Sequence, residues 1–308
     1  METPAKSRIA ITGASGLVGR RLCSLLTAAG HQVIPVRRDA SSASAQWNVD
    51  TGAITFPGDQ SIDTLIHLAG YNVAQRWTAR VKKLIWDSRV PATEKLCTFL
   101  SNLPAEKRPR SLISASAIGI YGSRADELLT EDSPLASKGQ GFLSDVCLAW
   151  EAATRPAADA GIRVAHVRVG VVLSKEGGAL AKLATPVKLC LGGPVGPGTQ
   201  FMPWISNTDL CRLFACLAVS PDFRGTVNGV GPAPVRQHEF TRTLGKILHR
   251  PTVFPMPTFM VKLFFGQMGV EALLSSLRVI PAHLPAGFTF EHTTLESAIR
   301  AELNRPAS

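Results

Sequence analysis

The sequence predicts an α/β fold with a doubly wound parallel sheet and a smaller, partly discontinuous C-terminal lobe. Short apolar runs alternate with helical patterns in the first half of the chain, which is typical of parallel strands joined by helices. After about residue 174, clusters of glycine and proline break this alternation. We therefore expect a sheet domain over 1–174, with later segments returning to the sheet edge, and a lobe over 175–308.

The elements follow in order from apolar runs, helical periodicity and signals at their ends. Strands are predicted over 8–12, 32–36, 63–70, 111–116 and 163–169. Helices are predicted over 17–29, 79–88, 91–103, 144–160, 207–219, 237–248 and 259–280. Gly30 and Gly161 stand where helices commonly end, and Pro91 suits the first position of a helix.

Composition narrows the class of protein. The chain has 308 residues, 45% of them hydrophobic, and contains no apolar run near the roughly 20 residues of a membrane span. The first eight residues lack an apolar secretory core, which favours a cytoplasmic location. The net charge of +10 comes from scattered basic residues, so we expect no nucleic-acid partner and no membrane partner. The sequence is compatible with a homodimer.

Cysteine and histidine patterns argue against a metal site and against a disulfide framework. The six cysteines include no CxxC pair, and the seven histidines are dispersed without an HExxH motif. Cysteines in apolar surroundings behave as small hydrophobic residues. We therefore expect no metal.

A glycine-rich turn joins the first predicted strand to the first predicted helix. Its sequence, Thr-Gly-Ala-Ser-Gly-Leu-Val-Gly over 12–19, has the spacing GxxGxxG rather than GxGxxG. Gly13 tolerates the backbone angles of a tight turn, Gly16 lets a pyrophosphate approach, and Gly19 allows close packing of helix on strand. The N–H groups at the helix start would face the phosphates. This context predicts a nucleotide site, and a purely structural turn is the alternative.

The end of the second predicted strand bears on the choice of dinucleotide. NAD sites usually carry an acidic residue about 20 residues beyond the glycine turn, where this chain has Arg37 and Arg38. A guanidinium can bind a 2′-phosphate through paired charge-assisted hydrogen bonds. The arginine pair therefore predicts NADP(H). Asp39 is the competing candidate, and a solvated basic loop is the alternative.

Further motifs accompany the glycine turn in order along nearly the whole chain. They lie at 12–19, 68–70, 76–77, 87–89, 113–117, 121–122, 130–134, 150–153, 168–173, 177–180, 191–194, 204–205 and 249–251. Together they resemble the extended short-chain dehydrogenase/reductase superfamily and, within it, the YfcH-like epimerase family. The resemblance implies a Rossmann-type fold with NADP(H), an oxidoreductase or epimerase ancestry and a family-specific C-terminal domain over about 249–300. It does not imply a particular substrate, which we expect to be a small molecule.

The resemblance also exposes a departure from the superfamily's catalytic pattern. Related dehydrogenases use a Tyr and, four residues later, a Lys that lowers the pKa of the Tyr. Matching Trp150 and Glu151 to the corresponding helix puts Leu143 at the Tyr position and Cys147 at the Lys position. The position of the catalytic Ser falls on Ala117, so the usual proton relay is in doubt.

Other residues are therefore candidates for the chemistry. Tyr121, near the expected nicotinamide position, and Ser116 are the candidate catalytic residues, with packing and backbone capping as the respective alternatives. Arg76 beside Trp77 suits an anionic or planar group, and Arg168 is either an anion anchor or an ion-pair partner. The candidate substrate contacts are Arg76, Trp77, Arg168 and Trp204.

The candidate cofactor contacts come from the glycine turn, the arginine pair and the ends of two further strands. They are Thr12, Gly13, Ser15, Gly16, Leu17, Val18, Gly19, Arg37, Arg38, Leu68, Ala69, Gly70, Arg89, Ser114 and Ala115. The leading hypothesis is an NADP(H)-dependent oxidoreductase or nucleoside-sugar-epimerase-like enzyme. The alternative is an NADP(H)-binding regulatory or scaffolding protein with little catalysis, linked to cell division.

Overall fold

A large central sheet organises the chain in the computed structural model, which describes residues 6–39, 44–58 and 61–305. The strands in this part of the chain are β1 Arg8–Thr12, β2 Gln32–Arg37, β3 Ala45–Trp47, β4 Ile54–Thr55, β5 Thr64–His67, β6 Ser111–Ala117, β7 Leu128–Leu129, β8 Arg163–Val169, β9 Val171–Ser174, β10 Phe201–Met202, β11 Trp204–Ser206, β12 Gly225–Gly229, β13 Val235–Arg236 and β14 Arg278–Val279. The α-helices are α1 Leu17–Ala28, α2 Ala79–Asp87, α3 Val90–Asn102, α4 Phe142–Ala152, α5 Arg155–Asp159, α6 Gly178–Lys188, α7 Asn207–Val219, α8 Gln237–Leu248, α9 Thr258–Met268 and α10 Leu295–Glu302.

The main sheet has the order β12-β8-β6-β5-β1-β2-β3-β4. Its neighbouring strands are parallel except for the antiparallel pair of β3 and β4 at one edge. The order reverses at β1, which pairs with β2 on one side and β5 on the other. Ligands of such sheets bind beyond the carboxyl ends of the strands at this reversal. The predicted doubly wound parallel sheet is confirmed.

The two faces of the sheet are covered by different helices. On β1, Ile9 and Ile11 point to one face, where α1 and α7 pack, and Ala10 points to the other, where α3 and α5 pack. Successive side chains of a strand alternate between faces, so an apolar strand with helices on both sides is fully buried. This double cover fixes the position of the carboxyl edge of β1.

Two predicted helices are divided in the structure. The prediction over 144–160 becomes α4 and α5, because Pro156 stands in the first turn of α5 and lacks the N–H that a continuous helix would need. The prediction over 259–280 becomes α9, which is kinked at Gly266 with its φ of +59°, and a π-helical turn over 269–273. Both predictions of one long helix were wrong.

The segments beyond residue 174 contribute to both parts of the molecule. Helix α7 packs on the main sheet and β12 extends its edge, whereas α6, α8 and α10 share a separate core cluster. The buried Glu302 of α10 accepts hydrogen bonds from Arg21 of α1 and from Thr208 of α7. In the described ranges, no helix is long and apolar enough to cross a membrane.

Candidate functional site

The glycine turn after β1 is shaped by backbone crowding. Gly13 has φ of +69°, a conformation that side chains rarely adopt, and its carbonyl accepts the N–H of Gly16 at 2.9 Å. A Cβ atom on Gly19 would lie 2.2 Å from the Gly13 carbonyl oxygen. The turn therefore favours glycine at both positions, and it places the start of α1 directly against β1.

The start of α1 is open to solvent. Ser15 and Gly16 are exposed, Leu17 and Val18 are half-buried, and no side chain caps the helix at Gly16. The first N–H groups of a helix have no partner within the helix, and they carry the positive end of its dipole. The carboxyl edge of β1 thus presents unpaired backbone donors, which is the arrangement that binds a phosphate.

A buried polar chain lies behind this turn. The Thr12 hydroxyl lies 2.8 Å from His67 Nδ1, and the Thr93 hydroxyl lies 3.0 Å from His67 Nε2. Trp150 Nε1 donates to the same Thr93 hydroxyl at 3.1 Å. Burial, assisted by the charge of Arg89, lowers the pKa of His67 from 6.5 to about 4. A neutral His67 therefore connects β1, β5, α3 and α4 at neutral pH.

The loop after β5 is held by the start of α3. Thr12 Oγ1 accepts hydrogen bonds from the N–H groups of Leu68 and Ala69, at 3.2 Å and 3.3 Å. Arg89 Nη1 donates to the carbonyl of Tyr71 at 2.9 Å, and the Arg89 guanidinium lies 5.0 Å from the Trp150 ring. A Cβ atom on Gly70 would lie 2.9 Å from Arg89 Cζ. The absence of a side chain at Gly70 lets the guanidinium reach this edge of the sheet.

The arginine pair lies on the other side of β1. Arg37 is the last residue of β2, Arg38 follows it, and both side chains are exposed. Since β2 is parallel to β1, the pair and the glycine turn lie at the same edge of the sheet. The structure thus brings together the predicted residues of the turn, the arginine pair and the loop at 68–70. Ser114 is buried in β6 and Ala115 is half-buried beside it.

A second polar cluster, which we call the Glu151 cluster, consists of Ser116, Tyr121, Glu151, Arg168 and Asn228. Arg168 donates to both Glu151 oxygens, at 2.9 Å and 3.0 Å, and to the Tyr121 hydroxyl at 2.9 Å. Ser116 Oγ donates to Glu151 at 2.7 Å, and the Tyr121 hydroxyl donates to Asn228 at 2.8 Å. Every side chain of the cluster therefore has a protein partner.

Burial and charge set the protonation states of the Glu151 cluster. Burial raises the pKa of Glu151, but the hydrogen bonds and charge of Arg168 outweigh it and hold that pKa below its ordinary value. Burial raises the pKa of Tyr121 despite the neighbouring Arg168. Near neutral pH the cluster thus holds a paired carboxylate and guanidinium beside a neutral phenol. Tyr121 is fully buried, and its catalytic role, like that of Ser116, stays a prediction.

The predicted substrate contacts do not converge on one site. Arg76 is exposed and donates to the carbonyl of Leu263 in α9 at 2.8 Å. Trp77 is buried, donates to the carbonyl of Val73, and packs edge-on against Phe142. Trp204 is 1% exposed in the core of the lobe and donates to the carbonyl of Ala233. With Arg168 paired to Glu151, only Arg76 of the four lies open to solvent, so their substrate roles stay predictions.

His67 and Thr93 were not identified as candidate site residues from the sequence, and Glu151 served only to match α4 to the superfamily's catalytic helix. His67 ends the fully buried strand β5, and a histidine at a buried position indicates that a hydrogen-bond partner lies nearby. Its partners come from β1 and α3 and could not be identified from local sequence. Glu151 follows Trp150 on α4, but its ion pair depends on the adjacent strand β8.

Comparisons with known proteins place this site in a family context. A sequence profile for the NAD dependent epimerase/dehydratase family matches residues 9–228, and one for a domain of unknown function (DUF1731) matches 256–302. The chain is 39% identical over 306 residues to the epimerase family protein Mb2239 of Mycobacterium bovis, spanning 98% of this chain and 99% of that protein. It is 36% identical to the chloroplastic SDR39U1 homolog of Arabidopsis thaliana, spanning 95% of this chain and 86% of that protein.

A solved structure gives the same grouping. The crystal structure of human epimerase family protein SDR39U1 (isoform2) with NADPH has a TM-score of 0.86 and 30% identity to this chain. The match covers 96% of this chain and 99% of the human one. These relatives give no support to a link with cell division.

Proposed function

The chain belongs to the NAD dependent epimerase/dehydratase family, and we propose that it is an NADP(H)-dependent oxidoreductase or nucleoside-sugar-epimerase-like enzyme of a small molecule. The observation that carries the proposal is the open start of α1 beside an exposed arginine pair. The NADPH in the human relative's structure supports the same cofactor. We include in the proposal a cytoplasmic location and a substrate lobe within 175–308, apart from α7 and β12, which belong to the main sheet.

The residues of this edge fit a dinucleotide with a 2′-phosphate. Unpaired N–H groups at the start of α1 would bind the pyrophosphate, which can approach the exposed backbone of Gly16 because that residue has no side chain. Gly13 instead lets the turn pass close to the loop after β5, since a Cβ atom there would lie 2.9 Å from Ala69 N. Arg38 and Arg37 would bind the 2′-phosphate through charge-assisted hydrogen bonds. When bound, NADP(H) supplies or accepts a hydride, and the chain's own residues orient it and exclude water.

A binding protein with little catalysis is the second candidate, and one observation favours it. Leu143 and Cys147 occupy the positions of the superfamily's Tyr and Lys, and Leu143 has no proton to exchange. The candidate replacements, Tyr121 and Ser116, are buried and already bonded within the Glu151 cluster. The cofactor framework is therefore intact while the proton relay lacks an obvious donor.

Cofactor titrations test the binding part of the proposal. We expect wild-type protein to bind NADPH more tightly than NADH, and Arg38→Ala to raise the Kd for NADPH at least ~10-fold with under ~2-fold effect on NADH. The control is Arg110→Ala, which removes an exposed arginine just before the amino end of β6 and should change neither Kd. Equal losses for both cofactors would contradict binding of the 2′-phosphate, and no binding of either cofactor would overturn the proposal.

Turnover assays then separate the two candidate functions. Purified protein and NADPH are incubated with a panel of carbonyl compounds and nucleotide sugars, and cofactor absorbance and substrate isomers are followed. Turnover of any panel member that Arg38→Ala reduces in parallel with NADPH affinity would support the enzyme. Tight NADPH binding without turnover across the panel would favour the binding protein.

A further inference from the structure

Helix α4 lacks a cation where related dehydrogenases carry their lysine. Cys147 occupies that position, and its side chain is buried. Burial raises the pKa of the Cys147 thiol to about 12, so the group is neutral at physiological pH. Nothing on α4 itself replaces the missing charge, because the neighbouring Glu151 is acidic and already paired with Arg168.

A cation from a different element reaches the same place. Arg89, at the start of α3, lies with its guanidinium 5.0 Å from the ring of Trp150. Trp150 is three residues after Cys147, and residues at this spacing share one face of a helix. After burial, the charge of Arg89 is the strongest influence on the pKa of Cys147 and acts to lower it. Arg89 thus projects its positive charge onto the face of α4 from which the lysine is missing.

The guanidinium of Arg89 has a hydrogen bond to the protein backbone and keeps two donor atoms unpaired. Its Nη1 donates to the Tyr71 carbonyl at 2.9 Å, and its Cζ lies 5.0 Å from the centroid of the Trp150 ring. Its Nε and Nη2 atoms have no hydrogen-bond partner among the described residues, and the side chain is only half-buried. The two free donors form a planar fork of the kind that binds paired oxygen atoms.

The position of the fork along the sheet indicates which part of a dinucleotide it meets. Arg38 follows β2, whereas Arg89 lies against the loop after β5, on the other side of β1. A dinucleotide crosses the reversal of strand order with its two halves on opposite sides. Resting on the proposed function, we propose that Arg89 holds the ribose hydroxyls of the nicotinamide half, with its positive charge on the face of α4 that lacks a cation.

Two ligands distinguish this role from general phosphate binding. NADPH contains the second ribose, whereas 2′-phosphoadenosine 5′-diphosphate contains the pyrophosphate and 2′-phosphate without it. We expect Arg89→Met to raise the Kd for NADPH ~10-fold and the Kd for the fragment less than ~2-fold. Arg38→Ala should weaken both ligands. Arg80→Met, which removes an exposed arginine from α2, is the matched control and should weaken neither.

A conservative variant guards against misfolding of Arg89→Met. Arg89→Lys keeps the charge and loses the fork, so we expect an intermediate loss of ~3-fold for NADPH and none for the fragment. Equal weakening of both ligands, or no weakening of NADPH in either variant, would overturn the inference. Absence of NADPH binding by wild-type protein would overturn the proposed function and this inference with it. Circular dichroism and urea unfolding would show that each variant is folded.

Discussion

The glycine-turn edge and the Glu151 cluster lie at the same end of the sheet, yet they treat polar groups in opposite ways. At the turn, the first N–H groups of α1 and the Nε and Nη2 atoms of Arg89 lack protein partners within the described residues. In the Glu151 cluster, Arg168 and Glu151 bond each other and the surrounding hydroxyls. Open donors suit a ligand, whereas paired donors hold strands and helices together. We therefore expect ligand binding to depend mainly on the glycine-turn edge and the free energy of unfolding mainly on the Glu151 cluster.

Breaking the Glu151 cluster should have the largest effect on stability. Arg168→Met leaves Glu151 buried without its partner, and we expect a loss of about 4 kcal/mol in the free energy of unfolding, measured in urea. Arg155→Met is the control, since its pair with Asp159 is largely exposed and should contribute under ~1 kcal/mol. The Kd for NADPH of folded Arg168→Met should stay within ~3-fold. A loss below ~1 kcal/mol, or NADPH binding that falls with stability unchanged, would break the distinction between the two regions.

A pH series tests the buried polar chain behind the glycine turn. The pKa of His67 is 6.5 ordinarily and about 4 in the folded chain, so between these values the unfolded chain binds a proton that the folded chain excludes. Stability should therefore fall by up to about 3 kcal/mol as the pH drops from 6.5 to 4. The test is urea unfolding at several pH values for wild type and His67→Gln, in which the fall in stability should be smaller by this amount, because His166 and Glu151 contribute to the slope in both proteins. Parallel slopes would show that His67 is protonated in the folded state.

Crowding the turn should damage binding more than stability. In Gly19→Ala the new Cβ atom meets the Gly13 carbonyl, the turn must open, and the Kd for NADPH should rise about 100-fold, equivalent to about 2.7 kcal/mol by calorimetry. Gly30→Ala is the control for crowding, because Gly30 has a positive φ, unlike Gly19, but no atom lies within 4 Å of an added Cβ. It should cost about 1 kcal/mol of stability and leave NADPH binding unchanged. An equal rise in the Kd for NADPH in both variants would contradict the explanation that crowding at Gly19 opens the turn.

The smallest effect should come from Gly70. Gly70→Ala places a methyl group against the Arg89 guanidinium, whose flexible side chain can shift. We expect a ~3-fold rise in the Kd for NADPH, with stability within ~0.5 kcal/mol of wild type. Fluorescence titration and urea unfolding would measure both quantities. If only the free energy of unfolding changed, the contact of Gly70 with Arg89 would serve stability and not cofactor binding.

Local patterns in the sequence predicted much of the fold. A prediction was accurate where the residues that determine the element lie within the element itself. β1, β8, α7 and α8 have the predicted bounds, because apolar periodicity and end signals lie within each segment. The division of α4 from α5 was visible in principle at Pro156. The partners of His67 and Glu151 come from elements distant in sequence, so the contrast between open and paired polar groups required the tertiary structure.

The ion pair between Arg21 and Glu302 affects how the chain folds during synthesis. It fastens α1, the helix that begins at the glycine turn, to a residue 281 positions later. Contacts this distant in sequence slow folding, because a long loop must close before they form. A ribosome adding ~5–20 residues per second needs on the order of tens of seconds to cover that interval. Throughout this time α1 lacks this contact, so its attachment to the rest of the fold is complete only when the end of α10 has been made.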